Sequence, residues 1–195
     1  MKRRLLMPVL LLALTLGACA AGEEEKDREA ALRARYAAPF ACEAEVKVEL
    51  PRAEETLRYT LRVACGEGRA RVTVLAPEEL TGVAAELEDG TQTLRYDGMV
   101  LDAGSAAPGV TAVNCVPLLL RAAAEGYVTE RSTERFGDTE ALRLTFETET
   151  GGETAAYTIF FSAEDTPLYA EIAQKEKIIA FVEFTNFTFG DILHP

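Results

Sequence analysis

From Phe40 onward the hydrophobic positions recur at every second residue. Ala44, Val46, Val48 and Leu50 alternate with Glu43, Glu45, Lys47 and Glu49, and Leu57, Tyr59, Leu61 and Val63 alternate with Arg58, Thr60 and Arg62. This is the pattern of antiparallel strands with one face covered. Folding the first hairpin about Ala53-Glu54 sets Leu50 against Leu57, Val48 against Tyr59 and Val46 against Leu61. The same register sets Cys42 against Cys65, so apolar face and cysteine position agree. Asp89-Gly90 and Asp97-Gly98 read as type I′ hairpin turns. Gly137-Asp138, Gly151-Gly152 and Lys175-Glu176 continue the meander, and folding about Gly151-Gly152 sets Phe146 against Tyr157, Leu144 against Ile159 and Leu142 against Phe161. The count is about eleven antiparallel strands.

Two stretches break the period of two. Residues 23–37 are rich in helix formers, with acids leading and Arg33 and Arg35 following, and Leu32 and Tyr36 share one face before Pro39 ends the run. After the sixth strand, Asn114 is placed to cap a second helix with Pro117 in its first turn and Gly126 as its stop. That helix is apolar nearly all round and is expected against the sheet. The expected class is therefore mainly β within α+β. The last strand, Lys177–Phe189, is apolar on both faces over Ile178–Phe184 and carries four of the nine phenylalanines. A strand of this kind is covered on both sides. Its aromatic stripe has two readings, packed core or the lining of an open apolar cleft, because both want the same residues.

The start of the chain follows a different logic. Lys2, Arg3 and Arg4 precede an apolar run over residues 6–16, and small residues close it. This is a secretory leader, too short to span a bilayer. Leu16-Gly17-Ala18-Cys19 resembles the lipobox of bacterial lipoproteins. The resemblance implies a diacylglyceryl group on the Cys19 thiol, cleavage before it, and a membrane as partner through the lipid. Ordinary signal cleavage at Ala18-Cys19-Ala20 is the alternative.

Charge narrows the partners. The net charge is −12, and removing the three leader cations makes the body three units more negative. Nucleic acid is not an expected partner, since it requires a basic stripe. Of the four cysteines, Cys42 and Cys65 are expected to bridge in an exported chain, with two reduced, buried thiols as the alternative, and Cys115 is left over. No catalytic constellation stands out. His194 is the one histidine and lies next to the end of the chain, and Ser105, Ser132 and Ser162 sit in no G-x-S-x-G setting. No phosphate loop or EF-hand occurs, so no enzyme activity, cofactor or metal is expected, and an exported hydrolase is the residual enzymatic reading.

Several segments together resemble the Lol-type lipoprotein carriers and receptors. They are the N-terminal helix, Pro77–Gly82 (P-x-x-L-x-G), Asp89-Gly90, Tyr96-Asp97-Gly98, the mid-chain helix, Phe161–Leu168 and Val182–Phe187 (V-x-F-x-N-F). The resemblance implies a curved, incomplete antiparallel barrel with both helices on its concave side and an acyl chain, lipoprotein or other apolar ligand held there. The candidate cleft residues are Val46, Val48, Tyr59, Leu61, Leu144, Phe146, Tyr157, Ile159, Phe181 and Phe184. Lipid-anchored members include germination lipoproteins of spore formers, which implies a protein-interaction module as the second possibility. The expected organisation is a leader (1–18), a lipidated tether and helix (19–39), the half-barrel (40–190) and a tail (191–195).

Overall fold

A computed structural model describes residues 23–66, 68–105 and 109–190. The leader, Cys19 and the 191–195 tail lie outside the described residues, and nothing below concerns their structure. Helix α1 covers residues 23–37. A first meander follows: β1 (Ala41–Pro51), β2 (Thr56–Gly66), β3 (Arg69–Ala76), β4 (Ala84–Glu88), β5 (Thr91–Tyr96) and β6 (Met99–Ser105). Helix α2 (Cys115–Glu125) leads to a second: β7 (Tyr127–Phe136), β8 (Thr139–Thr150), β9 (Glu153–Phe161), β10 (Pro167–Gln174) and β11 (Lys177–Gly190).

The eleven strands form one sheet in the order β6-β5-β4-β3-β2-β1-β11-β10-β9-β8-β7. Every pairing is antiparallel, and β1 joins the two meanders by pairing with β11 at the centre, Ala41 opposite Gly190. Strands β6 and β7 are the free edges, so the sheet curves without closing. The registers derived from hydrophobic alternation hold in both hairpins, Val48 opposite Tyr59 and Phe146 opposite Tyr157 among them.

Turn chemistry follows the sequence closely. Asp89 and Gly90 (φ 48° and 75°) and Asp97 and Gly98 (φ 47° and 76°) both place two consecutive residues at positive φ, the geometry of a type I′ turn. Lys175 and Glu176 do the same (φ 51° and 61°) without a glycine. A side chain in this region meets the neighbouring carbonyl, which glycine avoids. The Glu176→Gly variant is therefore expected to be more stable by about 0.5–1 kcal/mol, after the greater freedom of glycine in the unfolded chain is counted. Chemical denaturation of the two proteins measures the difference. An unchanged or lower midpoint would mean that Glu176 holds its turn without strain.

Both helices lie on the inner face of the second meander. Leu32 and Tyr36 of α1 are buried there, and Tyr36 packs edge-on against Phe40, Phe161 and Phe189 at 5.6–5.7 Å. Polar contacts complete the docking of α1. Tyr36 Oη donates to the Asp165 carbonyl at 2.8 Å, Arg33 to the Gly126 carbonyl at 3.0 Å, and Arg131 pairs with Glu29 at 2.8 Å. Helix α2 contacts β8, β9 and β11. Asn114 does not cap it by its side chain, contrary to expectation. The Asn114 Oδ1 instead accepts from the Thr111 amide and its Nδ2 donates to the Gly109 carbonyl, so the side chain is spent on the preceding turn. Gly126 ends the helix as expected. A Cβ there would lie 2.9 Å from that of Phe146 and closer still to the Ala122 carbonyl, so only glycine lets α2 reach β8.

The outer face divides into two kinds of surface. On the first meander it carries cross-strand ion pairs, such as Arg58–Glu49 at 3.0 Å and Arg95–Glu86 at 2.8 Å. These pairs are exposed and contribute little each. On the second meander it carries a row of half-buried rings, Phe136, Phe160, Tyr169 and Phe181, with successive centroids 5.5–6.4 Å apart. Burial raises the Tyr169 phenol to about 12, and the neighbouring Glu171 charge adds to the effect.

Candidate functional site

The inner face of the sheet is covered unevenly, and that asymmetry creates the site. Inward residues of the second meander lie beneath α1 and α2, and Leu142, Leu144, Phe146, Tyr157 and Ile159 are all buried. Inward residues of the outer first meander have no helix over them. Leu94, Tyr96, Met99 and Leu101 share the inner face with Ala85 by register, yet Tyr96, Met99 and Leu101 are 49%, 66% and 62% exposed.

Between α2 and this open wing lies a cavity of about 490 Å³. Its apolar wall is Ala70 and Leu87 of β3 and β4, Phe40, and Pro117, Leu118 and Leu120 of α2. The rim is polar, with Arg69, Glu88, Asp89 and Arg121. The helix can serve both sides because it is apolar nearly all round. Val116, Leu119 and Ala123 are buried in the core, while Pro117 and Leu118 are only half-buried. A second cavity of about 760 Å³ wraps the same end of the β2–β3 hairpin and shares Cys65, Gly66, Arg69, Ala70, Leu87 and Glu88 with the first. Its remaining walls include Glu43, Arg71, Glu86 and Thr188. Arg69 and Arg71 lie within ion-pair distance of Glu88 and Glu86.

None of the ten cleft candidates lines either cavity. Val46, Val48, Leu61, Leu144, Phe146, Tyr157, Ile159 and Phe184 are buried together in the packed interior, and Tyr59 packs half-buried against it. Phe181 stands apart, on the outer face opposite Glu49 and Glu171 and stacked on Tyr169. Parity could have separated it from Phe184, since residues three apart on a strand face opposite ways. What parity hides is the bulge at Thr185, which puts Phe184, Phe187 and Phe189 on one face. The lining of the cavity beside α2 had a weaker signal, namely a helix with more apolar surface than one contact can use.

Cys42 and Cys65 stand directly opposite each other in the expected register, both as thiols. Cys42 is buried and Cys65 half-buried. The two share a side-chain hydrogen bond, which draws the Cys42 thiol down and, together with burial, pushes Cys65 up. Cys115, the first residue of α2, is fully enclosed; burial raises its thiol to about 12 and its Sγ–H donates to the Ala112 carbonyl. Among the described residues no group of three or more His, Cys, Asp or Glu side chains could hold a metal ion.

The sequence matches no family model and no curated protein. Among solved structures, an uncharacterised conserved protein from Thermus thermophilus superposes with a TM-score of 0.50 at 14% identity, over 88% of each chain. A putative outer membrane lipoprotein-sorting protein domain from Vibrio parahaemolyticus gives 0.46 at 13% identity, over 86% of this chain and 93% of that one. A LolA superfamily protein from Nitrosomonas europaea gives 0.41 at 11% identity, over 80% and 87%. At these identities the likeness is one of fold: this chain is an open, curved antiparallel half-barrel with two helices on its inner face, the architecture that the Lol-type resemblance implied.

Proposed function

We propose that this protein is an extracytoplasmic, lipid-anchored binding domain that takes an acyl or other apolar ligand between α2 and the inner face of β3 and β4. The observation that carries the reading is the second apolar face of α2. Pro117 and Leu118 are left out of the core and line the cavity of about 490 Å³, a volume within the usual range for small-molecule sites. The charged rim leaves a place for a polar headgroup at the mouth. Cys19 supplies the anchor, and the acidic body keeps the domain off anionic headgroups.

Native mass spectrometry of the full chain extracted from bacterial membranes tests it. The wild type is expected to carry an acyl lipid beyond its own anchor, and Leu118→Arg is expected to lose it, because a cation placed in the apolar wall is strongly disfavoured. A clean apo mass together with no uptake of a fluorescent fatty acid would overturn the ligand reading. A protein partner would then be the better occupant of the open wing, and one observation favours it. Strand β6 is an unpaired edge, exposed and apolar on both faces at Met99, Val100 and Leu101, with no lysine, arginine or proline to block strand addition. The opposite edge, β7, carries Glu130, Arg131, Glu134 and Arg135.

A further inference from the structure

The facing thiols of β1 and β2 have a chemistry that the ligand reading does not use. We propose that Cys65 is the thiol through which this protein exchanges with external disulfides, and that Cys42 resolves the product, so that the pair cycles between a dithiol and a cross-strand disulfide. Three features of the geometry support this. The two residues are register partners near the ends of β1 and β2. They differ in access: Cys42 is 2% exposed, faces Phe189 across the β1–β11 pair and lies near the Tyr36 phenol. Cys65 is half-buried and lines both cavities, alone among the described cysteines, since Cys42 lines one and Cys115 neither. An incoming disulfide therefore meets Cys65 first.

The steps balance. The facing pair first releases one proton to water, and with the remaining proton on the Cys42 sulfur the Cys65 thiolate attacks one sulfur of a low-molecular-weight or protein disulfide. This forms a mixed disulfide on Cys65 and expels one thiolate, which takes up the proton that Cys42 then releases. The Cys42 thiolate attacks the Cys65 sulfur, closes the cross-strand bond and expels the second thiolate, which takes a proton from water. Two protein thiols are oxidised and the external disulfide is reduced to two thiols. Reduction runs the same path backwards, with attack on the more accessible Cys65 and Cys42 as the leaving thiolate. The hydrogen bond that draws the Cys42 thiol down favours that role, because a lower-pKa thiol leaves faster. Cys115 takes no part, enclosed as it is at the start of α2.

The probe is oxidised glutathione added to the folded full chain, followed by alkylation and peptide mapping so that each cysteine is read separately. The wild type is expected to form the Cys42–Cys65 bridge without accumulating glutathione. Cys42→Ser is expected to lose the bridge and trap glutathione on Cys65, while Cys65→Ser leaves Cys42 and Cys115 unmodified. A brief iodoacetamide pulse on the wild type, which needs no variant to fold, is expected to label Cys65 ahead of the other two. Glutathione trapped on Cys42 in the Cys65→Ser protein would overturn the assignment, as would labelling of Cys42 first or a wild type that stops at the mixed disulfide.

Discussion

Phe146→Ala is expected to lower the unfolding free energy by about 3–5 kcal/mol, the range for deleting a fully buried phenylalanine where the surroundings relax only in part. Phe146 has no exposure, lies opposite Tyr157, and sits where α2 comes closest to the sheet at Gly126. Relaxation is limited there because β8 is held on both sides, by β7 and β9, and its inner face is pressed by the helix. A whole domain is stable by only about 5–15 kcal/mol, so the variant is expected to be partly unfolded or close to it at growth temperature. Phe181→Ala provides the contrast. Its ring is half-buried on the outer face, and its loss is expected to cost about 1–2 kcal/mol. Urea titration of the three proteins reads both values. Equal losses would mean that the Phe181 ring is packed as deeply as that of Phe146, and that its place on the outer face of β11 is wrongly assigned.

Cys19→Ala is expected to move the protein from the membrane pellet to the soluble fraction. Each buried methylene contributes about 0.8 kcal/mol, and a single acyl chain binds only marginally while two hold stably. Loss of the diacylglyceryl site therefore removes the anchor as a whole and not by degrees. Among the described residues no helix is long and apolar enough to cross a membrane. Fractionation of cells expressing wild type and variant decides between the two readings of the leader. A wild type already soluble would favour ordinary signal cleavage, and a variant that stays in the pellet would sink the lipobox reading.

Much of the fold was legible because strand register is a local matter. A period of two and a short turn fix which residues oppose one another, as Val46 with Leu61 and Leu144 with Ile159 show. Aspartate followed by glycine marks a turn needing two positive φ values, and Asp89-Gly90 and Asp97-Gly98 adopt it. Helix α1 was legible through one pair, Leu32 and Tyr36, both buried as their spacing required. Asn114 was misread for a reason of the same kind. Its side chain had two local partners available, the helix end and the 109–111 turn, and the turn won.

The sequence by itself determined the strands, their hairpin registers, the two helices and the acidic composition of the chain, because alternation and turn dipeptides act over a few residues. Only the tertiary structure decided which half of the sheet the helices cover. That choice turned the candidate cleft around Val46, Leu61 and Phe146 into packed core and left the opening beside Leu118, Ala70 and Leu87. It rests on contacts between residues far apart in the chain, such as Arg33 with Gly126 and β1 with β11. Apolar residues that fill a core and those that line a cavity obey the same alternation, since water is excluded from both. The difference lies in what stands opposite them, and a strand's own pattern carries no record of that.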